Sequence, residues 1–190
     1  MTKTQMRPTD TNADAVLSFW FNETKPYQWY RRDPAFDQLC ATRFGALHEA
    51  AANGDLDIWR AKPRNALARI LVLDQFSRNM FRDTPGAFAF DPLALTAARD
   101  ALARRFDLLF PPNMQAFFMM PFMHAEDLAV QEDSVRLFKT RQHGANNLSY
   151  AIDHRDIVRR FGRFPHRNKI LGRPSTAEEI QFLKAGGFNP

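Results

Sequence analysis

The stretch DPAFDQLCATRFGALHEAAANG, residues 33–54, carries both the start and the stop signal of an α-helix. Asp33 is a favoured N-cap residue, and Pro34 suits the first helical position, where a missing N–H costs nothing. Asn53 and Gly54 are typical of a helix C-terminus, because both tolerate the left-handed backbone that ends many helices. The stretch therefore predicts one long helix with two defined ends.

Similar boundary signals recur along the chain. Asp91-Pro92 opens a predicted helix that runs to Phe106, and Ser175 with Glu178 forms a capping-box pattern. Apolar periodicity predicts further helices at 13–21, 64–80, 123–139 and 146–161, and a short one after Pro111-Pro112. No segment has the alternation of a strand hairpin. About eight helices with short connections predict an all-α fold, an irregular bundle or stack of helical hairpins.

Length and composition indicate one folded domain over residues 1–190, with residues 1–10 as a flexible N-terminal tail. Hydrophobic residues make up 45% of the 190 residues, enough to bury a core without disulfides. We expect neither a signal peptide nor a membrane helix, since no run approaches the roughly 20 apolar residues of a membrane span. Cys40 is the only cysteine, which is typical of the reducing cytoplasm.

The sequence lacks the common cofactor motifs. It has no phosphate-binding loop, no dinucleotide-binding glycine motif, no His-Glu-x-x-His pair and no cysteine cluster. We therefore expect no cofactor and no metal, and dehydrogenases, P-loop ATPases and zinc peptidases are poor candidates.

The positive charge is local. The chain carries a net charge of +5, and the stretch from His154 to Arg173 holds seven Lys or Arg against the single acid Asp156. The rest of the chain is nearly balanced. The sequence thus predicts one basic patch, which is the ground for considering RNA as a partner.

Two charged residues lie on an apolar helix face. At 100° per residue, Asp74 shares a face with Leu67, Ile70 and Leu71, and Arg78 follows one turn later. A buried carboxylate needs a partner, so a structural ion pair is one interpretation. The other is that both residues line a ligand pocket.

Polar residues also share a face in the predicted helix 123–139. His124, Asp127 and Gln131 follow the spacing i, i+3, i+7 and would project together. They are candidates for an acid/base pair, with a hydrogen-bonded structural histidine as the alternative. Metal ligation would need further ligands from elsewhere in the fold.

The predicted helix 146–161 places a second histidine, His154, on its inward face. Gly162 and Pro165 end that helix, so the next residues should form a tight connection rich in donors, namely Arg163, His166, Arg167 and Asn168. Forked guanidinium groups suit a carboxylate or a phosphate. Exposed charges and carbonyl caps at a helix end are the alternative interpretation.

These segments coincide with a family resemblance. The chain resembles the bacterial family known as domain of unknown function 924 in LDQFSRN (73–79), PFMHAED (121–127), FGRFPHRN (161–168), LGR (171–173) and FWF (19–21). The resemblance implies an all-helical fold of the tetratricopeptide-like class. It implies no activity and no catalytic residues.

Three functional hypotheses follow. The first is a binding module whose polar, basic pocket takes an anionic small molecule or an acidic peptide. Its candidate ligand-binding residues are Asp74, Arg78, His124, Asp127, His154, Arg163, His166, Arg167 and Asn168. The second is a hydrolase or lyase with a His/Asp pair drawn from His124, Asp127 and His154. The third, RNA binding through residues 154–173, is less favoured because the basic patch is so local.

Overall fold

The computed structural model describes residues 8–141 and 147–187, and every regular element in these ranges is helical. Consecutive helices α5 to α8 pack side by side, and α1 and α2 pack against the region around α3 and α4. The all-α prediction is confirmed, and the tetratricopeptide-like arrangement stays a prediction. The α-helices are α1 (Pro8–Ser18), α2 (Pro34–Ala52), α3 (Pro63–Leu71), α4 (Ser77–Met80), α5 (Asp91–Ala103), α6 (Pro112–Met123), α7 (Leu128–Arg141), α8 (Asn147–Phe161) and α9 (Ala177–Lys184).

The boundary signals of α2 work as predicted. The Asp33 carboxylate accepts hydrogen bonds from the backbone N–H groups of Ala35 and Phe36, which have no partner inside the helix. Gly54 follows the other end with φ at +88°, a backbone conformation that residues with a Cβ rarely adopt. Of the predicted N-terminal tail, residues 1–10, the first seven lie outside the described residues. Residues 8–10 belong to α1.

The predicted helix 64–80 contains an irregularity that its sequence did not indicate. A π-helical turn, Val72–Phe76, joins α3 to α4, and all five of its residues are buried. A second π-helical turn, Phe19–Glu23, follows α1. Such turns are rare and are frequent at functional sites.

The prediction of one continuous helix over residues 123–139 is wrong. Helix α6, predicted as a short helix, extends to Met123 and ends there; α7 begins only at Leu128. Pro121, inside α6, lacks a backbone N–H. The Asp127 carboxylate accepts a hydrogen bond from the backbone N–H of Val130, so Asp127 caps α7. His124 and Asp127 therefore do not share a helix face.

The capping box before α9 is shifted by one residue. Both Ser175-x-x-Glu178 and Thr176-x-x-Glu179 fit the pattern, and the structure uses the second pair. Ser175 instead accepts a hydrogen bond from Asn168, 3.1 Å away. The choice follows from Glu179, whose side chain is almost fully buried against the residues it bonds.

The main hydrophobic core is aromatic. Trp20 packs against Phe76, with ring centroids 5.4 Å apart, and against Phe117 at 5.9 Å. Buried side chains of α1, α2, α3 and α5–α7 complete this core. None of the described helices is long and apolar enough to cross a membrane.

A second, smaller apolar cluster holds the C-terminal residues. Ile157, Val158 and Phe164 are buried in it, with Phe161 and Phe182 packed alongside. Between this cluster and the main core lies the polar region described next.

Candidate functional site

The π-helical turn places a carboxylate inside the protein. The Asp74 side chain is only 1% exposed, and its Oδ1 lies 2.7 Å from Nδ1 of His124. Its Oδ2 accepts a hydrogen bond of 2.6 Å from Nε2 of Gln75. Arg78, one turn later, places Nη1 3.1 Å from Oδ1. Each carboxylate oxygen of Asp74 therefore has a donor.

Two arginines share a second carboxylate beside this pair. Arg78 and Arg167 each donate a hydrogen bond of 3.1 Å to Oδ2 of Asp91. Arg167 also donates to the backbone oxygen of His124 at 3.0 Å. We call these five residues, Asp74, Arg78, Asp91, His124 and Arg167, the polar junction. It joins the π-helical turn, α4, α5, the end of α6 and the C-terminal segment, which is residues 162–176 between α8 and α9.

His124 is the one imidazole among the five residues of the polar junction. The imidazole follows the last residue of α6, and 15% of its side chain is exposed. Nδ1 faces Asp74, whereas Nε2 makes no hydrogen bond with any residue that the structure describes. The carboxylate orients the ring with its Nδ1–H inward, which leaves the Nε2 lone pair on the outer edge.

Burial and neighbouring charges set the protonation states. Burial opposes the charge on Asp74, but Arg78 and His124 outweigh it and hold the pKa of Asp74 below its usual range. Burial, followed by the positive charge of Arg78, lowers the pKa of His124, although Asp74 opposes that shift. The junction at neutral pH is thus a carboxylate beside a neutral imidazole.

His154 lies next to His124 but has different partners. The two ring centroids are 6.4 Å apart, and Nδ1 of His154 lies 2.7 Å from the backbone oxygen of Tyr150. Phe164 packs edge-on against the ring at 5.5 Å. Burial, and then the neighbouring His124, lowers the pKa of His154 to about 3, so this imidazole is also neutral.

Arg167 is a clamped cation. Its guanidinium lies 4.4 Å from the ring centroid of Phe88 and 4.6 Å from that of Phe164. Burial, together with the charge of Arg78, lowers its pKa to about 10, so it stays charged at neutral pH. Stacking on Phe88 holds the segment after α8 against the residues that precede α5.

The structure brings five of the predicted site residues into one contact network; of the other four, His166 lies beside this network, and three have partners elsewhere. Asp74, Arg78, His124, His154 and Arg167 are neighbours, as the contacts above show. Asp127 is exposed and caps α7. Arg163 pairs with Glu179 at 2.7 Å, and Asn168 donates to Ser175 and Glu179. His166 packs near Phe164, with ring centroids 5.6 Å apart.

The basic patch seen in the sequence is neutralised in three dimensions. Its arginines pair with acids that come mostly from other segments. The pairs are Arg159–Glu132, Arg160–Glu178, Arg163–Glu179, Arg167–Asp91 and Arg173–Glu126. A charge count along a local stretch could not reveal these acids.

Two residues of the site were not predicted from sequence. Asp91 resembles an N-cap because Pro92 follows it, yet Phe90 occupies the cap position and the Asp91 carboxylate binds arginines. Gln75 stands beside Asp74 in the chain, and neighbours on a regular helix do not face each other. In the structure both residues lie in the π-helical turn, where their side chains meet.

Open surface clefts lie away from the junction. One is on the outer side of α8, lined by Asp153, Asp156, Ile157, Arg160, Phe161 and Phe182. The other, between α2 and α4, is lined by Arg32, Pro34, Asp37, Gln38, Ala41, Asn79, Met80, Arg82 and Asp83. Within residues 8–141 and 147–187, no three His, Cys, Asp or Glu side chains are grouped so as to hold a metal ion.

Comparisons with known proteins identify the chain by family. A protein of unknown function from Agrobacterium tumefaciens has a similar solved structure, with 43% sequence identity and a TM-score of 0.89. The match covers 94% of this chain and 99% of that one. No curated protein matches the chain. A family described as bacterial protein of unknown function, DUF924, matches residues 16–187. The chain therefore belongs to the DUF924 family.

Proposed function

We propose that this protein binds a small anionic molecule at the edge of the polar junction and that His124 acts on it as a general base. The observation that carries the proposal is the pairing of His124 with buried Asp74 while Nε2 has no hydrogen-bond partner among the described residues. The reaction class is that of a hydrolase or lyase. The reducing cytoplasm suits its single cysteine, Cys40.

The Asp74–His124 pair has the properties that a general base requires. A neutral imidazole can accept a proton at Nε2, and the adjacent carboxylate stabilises the imidazolium that results. In a hydrolase, the proton comes from the attacking water. In a lyase, it comes from a carbon next to the substrate's acidic group, and the freed electron pair expels the leaving group.

Arg78 supports the choice of an anionic ligand. Its side chain is 19% exposed, and its Nε–H has no acceptor among the residues that the structure describes. Protonation of His124 would also add a positive charge to a junction in which two arginines balance two aspartates. An anion beside Arg78 and His124 compensates that charge.

RNA binding through residues 154–173 has less support. Arg160, Arg163 and Arg173 already pair with glutamates, so the segment presents little free positive charge. Binding to phosphates along a nucleic acid backbone would have to break these pairs. A small ligand at the junction does not.

The test is a ligand screen coupled to turnover. Phosphate monoesters, small di- and tricarboxylates and carboxylate esters are screened by thermal shift at low salt, and compounds that raise Tm are incubated with the protein and followed by NMR. We expect Arg78→Gln to weaken binding at least about tenfold, since it removes the cation. We expect His124→Gln to bind but to turn over about 100-fold more slowly or worse.

His48→Gln is the matched control. His48 is a buried histidine that bonds Ser77 through Nε2 at 2.7 Å and has no carboxylate partner. We expect this variant to keep both binding and turnover. The proposal fails if no anionic compound raises the Tm of the wild type, or if His124→Gln turns substrate over at the wild-type rate.

A further inference from the structure

Gln75 is a hydrogen-bond partner of the Asp74 carboxylate. Its Nε2 donates to Oδ2 of Asp74 at 2.6 Å, and Met120 lies against the same amide with Sδ 3.5 Å away. The side chain of Gln75 is buried between α6 and the π-helical turn to which Gln75 belongs. With Oδ2 occupied, Oδ1 is the oxygen that faces His124.

The contact lies within the π-helical turn Val72–Phe76. On a regular α-helix, consecutive side chains point about 100° apart and do not meet. Here Asp74 and Gln75 are consecutive, and both reach the end of α6, where Met120 and His124 lie. Within this π-helical turn, the carboxylate and its donor thus lie on the same side of the helix.

We infer that Gln75 is a positioning residue, which fixes the Asp74 carboxylate so that His124 keeps its proton on Nδ1 and presents Nε2 outward. Gln75 itself contacts neither Nε2 nor the exposed edge of the site. The inference deepens the proposed function and assumes the same base. Its measurement, however, needs no substrate.

Other charged groups around His124 also affect its protonation. They are Asp74 on the π-helical turn, Arg78 on α4, Asp91 on α5, His154 on α8 and Arg167 on the C-terminal segment. Each of these is left in place when Gln75 is replaced. A change in His124 then reports the loss of the amide donor.

The test is side-chain NMR of His124 in Gln75 variants, with the resonances assigned by comparison with His124→Gln. Nitrogen shifts give the tautomer, and a pH titration gives the pKa. The wild type should show the Nδ1–H form. Gln75→Met keeps the volume and removes the donor, so we expect a mixture of both tautomers. Gln75→Glu adds a second carboxylate beside Asp74, so we expect the pKa of His124 to rise by about one unit or more.

Gln115→Met is the control. Gln115 lies on α6, and its Nε2 donates a hydrogen bond of 2.9 Å to the backbone oxygen of Phe110, but it does not contact Asp74. We expect this variant to leave the tautomer and the pKa of His124 unchanged. The inference is overturned if Gln75→Met leaves the tautomer of His124 as in the wild type. Absence of any ligand in the screen would instead overturn the proposed function alone.

Discussion

The aromatic core and the polar junction are neighbouring parts of one molecule that are assembled differently. The core, centred on Trp20, Phe76 and Phe117, uses non-directional apolar contacts, and many rings share the same space. The junction uses directed hydrogen bonds and ion pairs between residues far apart in sequence. Asp74 and His124 are 50 positions apart, and Asp91 and Arg167 are 76 apart.

The two regions also differ in how burial affects the stability of the fold. Burying apolar rings lowers the free energy wherever they meet, whereas burying charges costs free energy unless their partners are placed well. In other proteins, replacing a buried group of ion pairs by apolar side chains of similar volume is often neutral or stabilising.

The largest expected effect is a core truncation. Trp20 is fully buried, so Trp20→Ala should lower the free energy of unfolding by about 4 kcal/mol, through lost burial and the cavity left behind. Urea denaturation measures the loss. Tyr27→Ala is the matched control, because Tyr27 is 61% exposed and its removal should cost less than about 0.5 kcal/mol. Equal losses in the two variants would contradict the assignment of Trp20 to the core.

The pH dependence probes the region around the junction. The pKa of His154 is lowered from 6.5 to about 3, so protonation favours the unfolded chain. Its contribution to stability is complete above the unfolded pKa and is lost as the pH falls towards the folded pKa. His154 alone should lower the free energy of unfolding by about 2 kcal/mol between about pH 7 and about pH 5.

Other histidines act in the same direction. Burial also lowers the pKa of His48, His124 and His166, whereas Glu126 and Glu179 lose their stabilising charge only at lower pH. Denaturation curves at several pH values give the free energy of unfolding as a function of pH. This free energy should change less steeply with pH in His154→Gln than in the wild type. Identical slopes for the two proteins would show that His154 is not buried in its neutral form.

The sequence predicts the core region well, because its signals are local. Asp33 and Gly54 mark the two ends of α2 through contacts within a few residues, and the structure places both as predicted. Periodicity also identifies the inward face of α8, where Ile157 and Val158 are buried. Such signals depend only on spacing along the chain.

The junction is only partly predictable, because its geometry depends on irregular backbone and on distant partners. The π-helical turn Val72–Phe76 contains neither Gly nor Pro, so nothing local marks it. The spacing of His124 and Asp127 indicated a pair, but the helix break gave His124 a different carboxylate, Asp74. The sequence indicated the pair of Asp74 and Arg78, which the structure contains, but it did not indicate Asp74 as the partner of His124.

Two consecutive glutamates give the last contrast, and the smallest expected effect is that of Glu178. Glu179 is 2% exposed, and it accepts hydrogen bonds from Arg163, Asn168 and the backbone N–H of Thr176. Its neighbour Glu178 is 59% exposed and pairs with Arg160 in solvent. We expect Glu179→Gln to lower the free energy of unfolding by about 2 kcal/mol, because buried donors lose a charged acceptor. We expect Glu178→Gln to change it by less than about 0.5 kcal/mol.

Urea denaturation of both variants at low and high salt measures the contrast. Added salt should abolish the small effect at Glu178, because solvent ions screen an exposed pair, and should change the effect at Glu179 little. If Glu178→Gln proves as destabilising as Glu179→Gln, the ion pairs of the basic segment hold the C-terminal residues collectively. Charge pairing and burial would then be equally important there, and the contrast with the aromatic core would have to be redrawn.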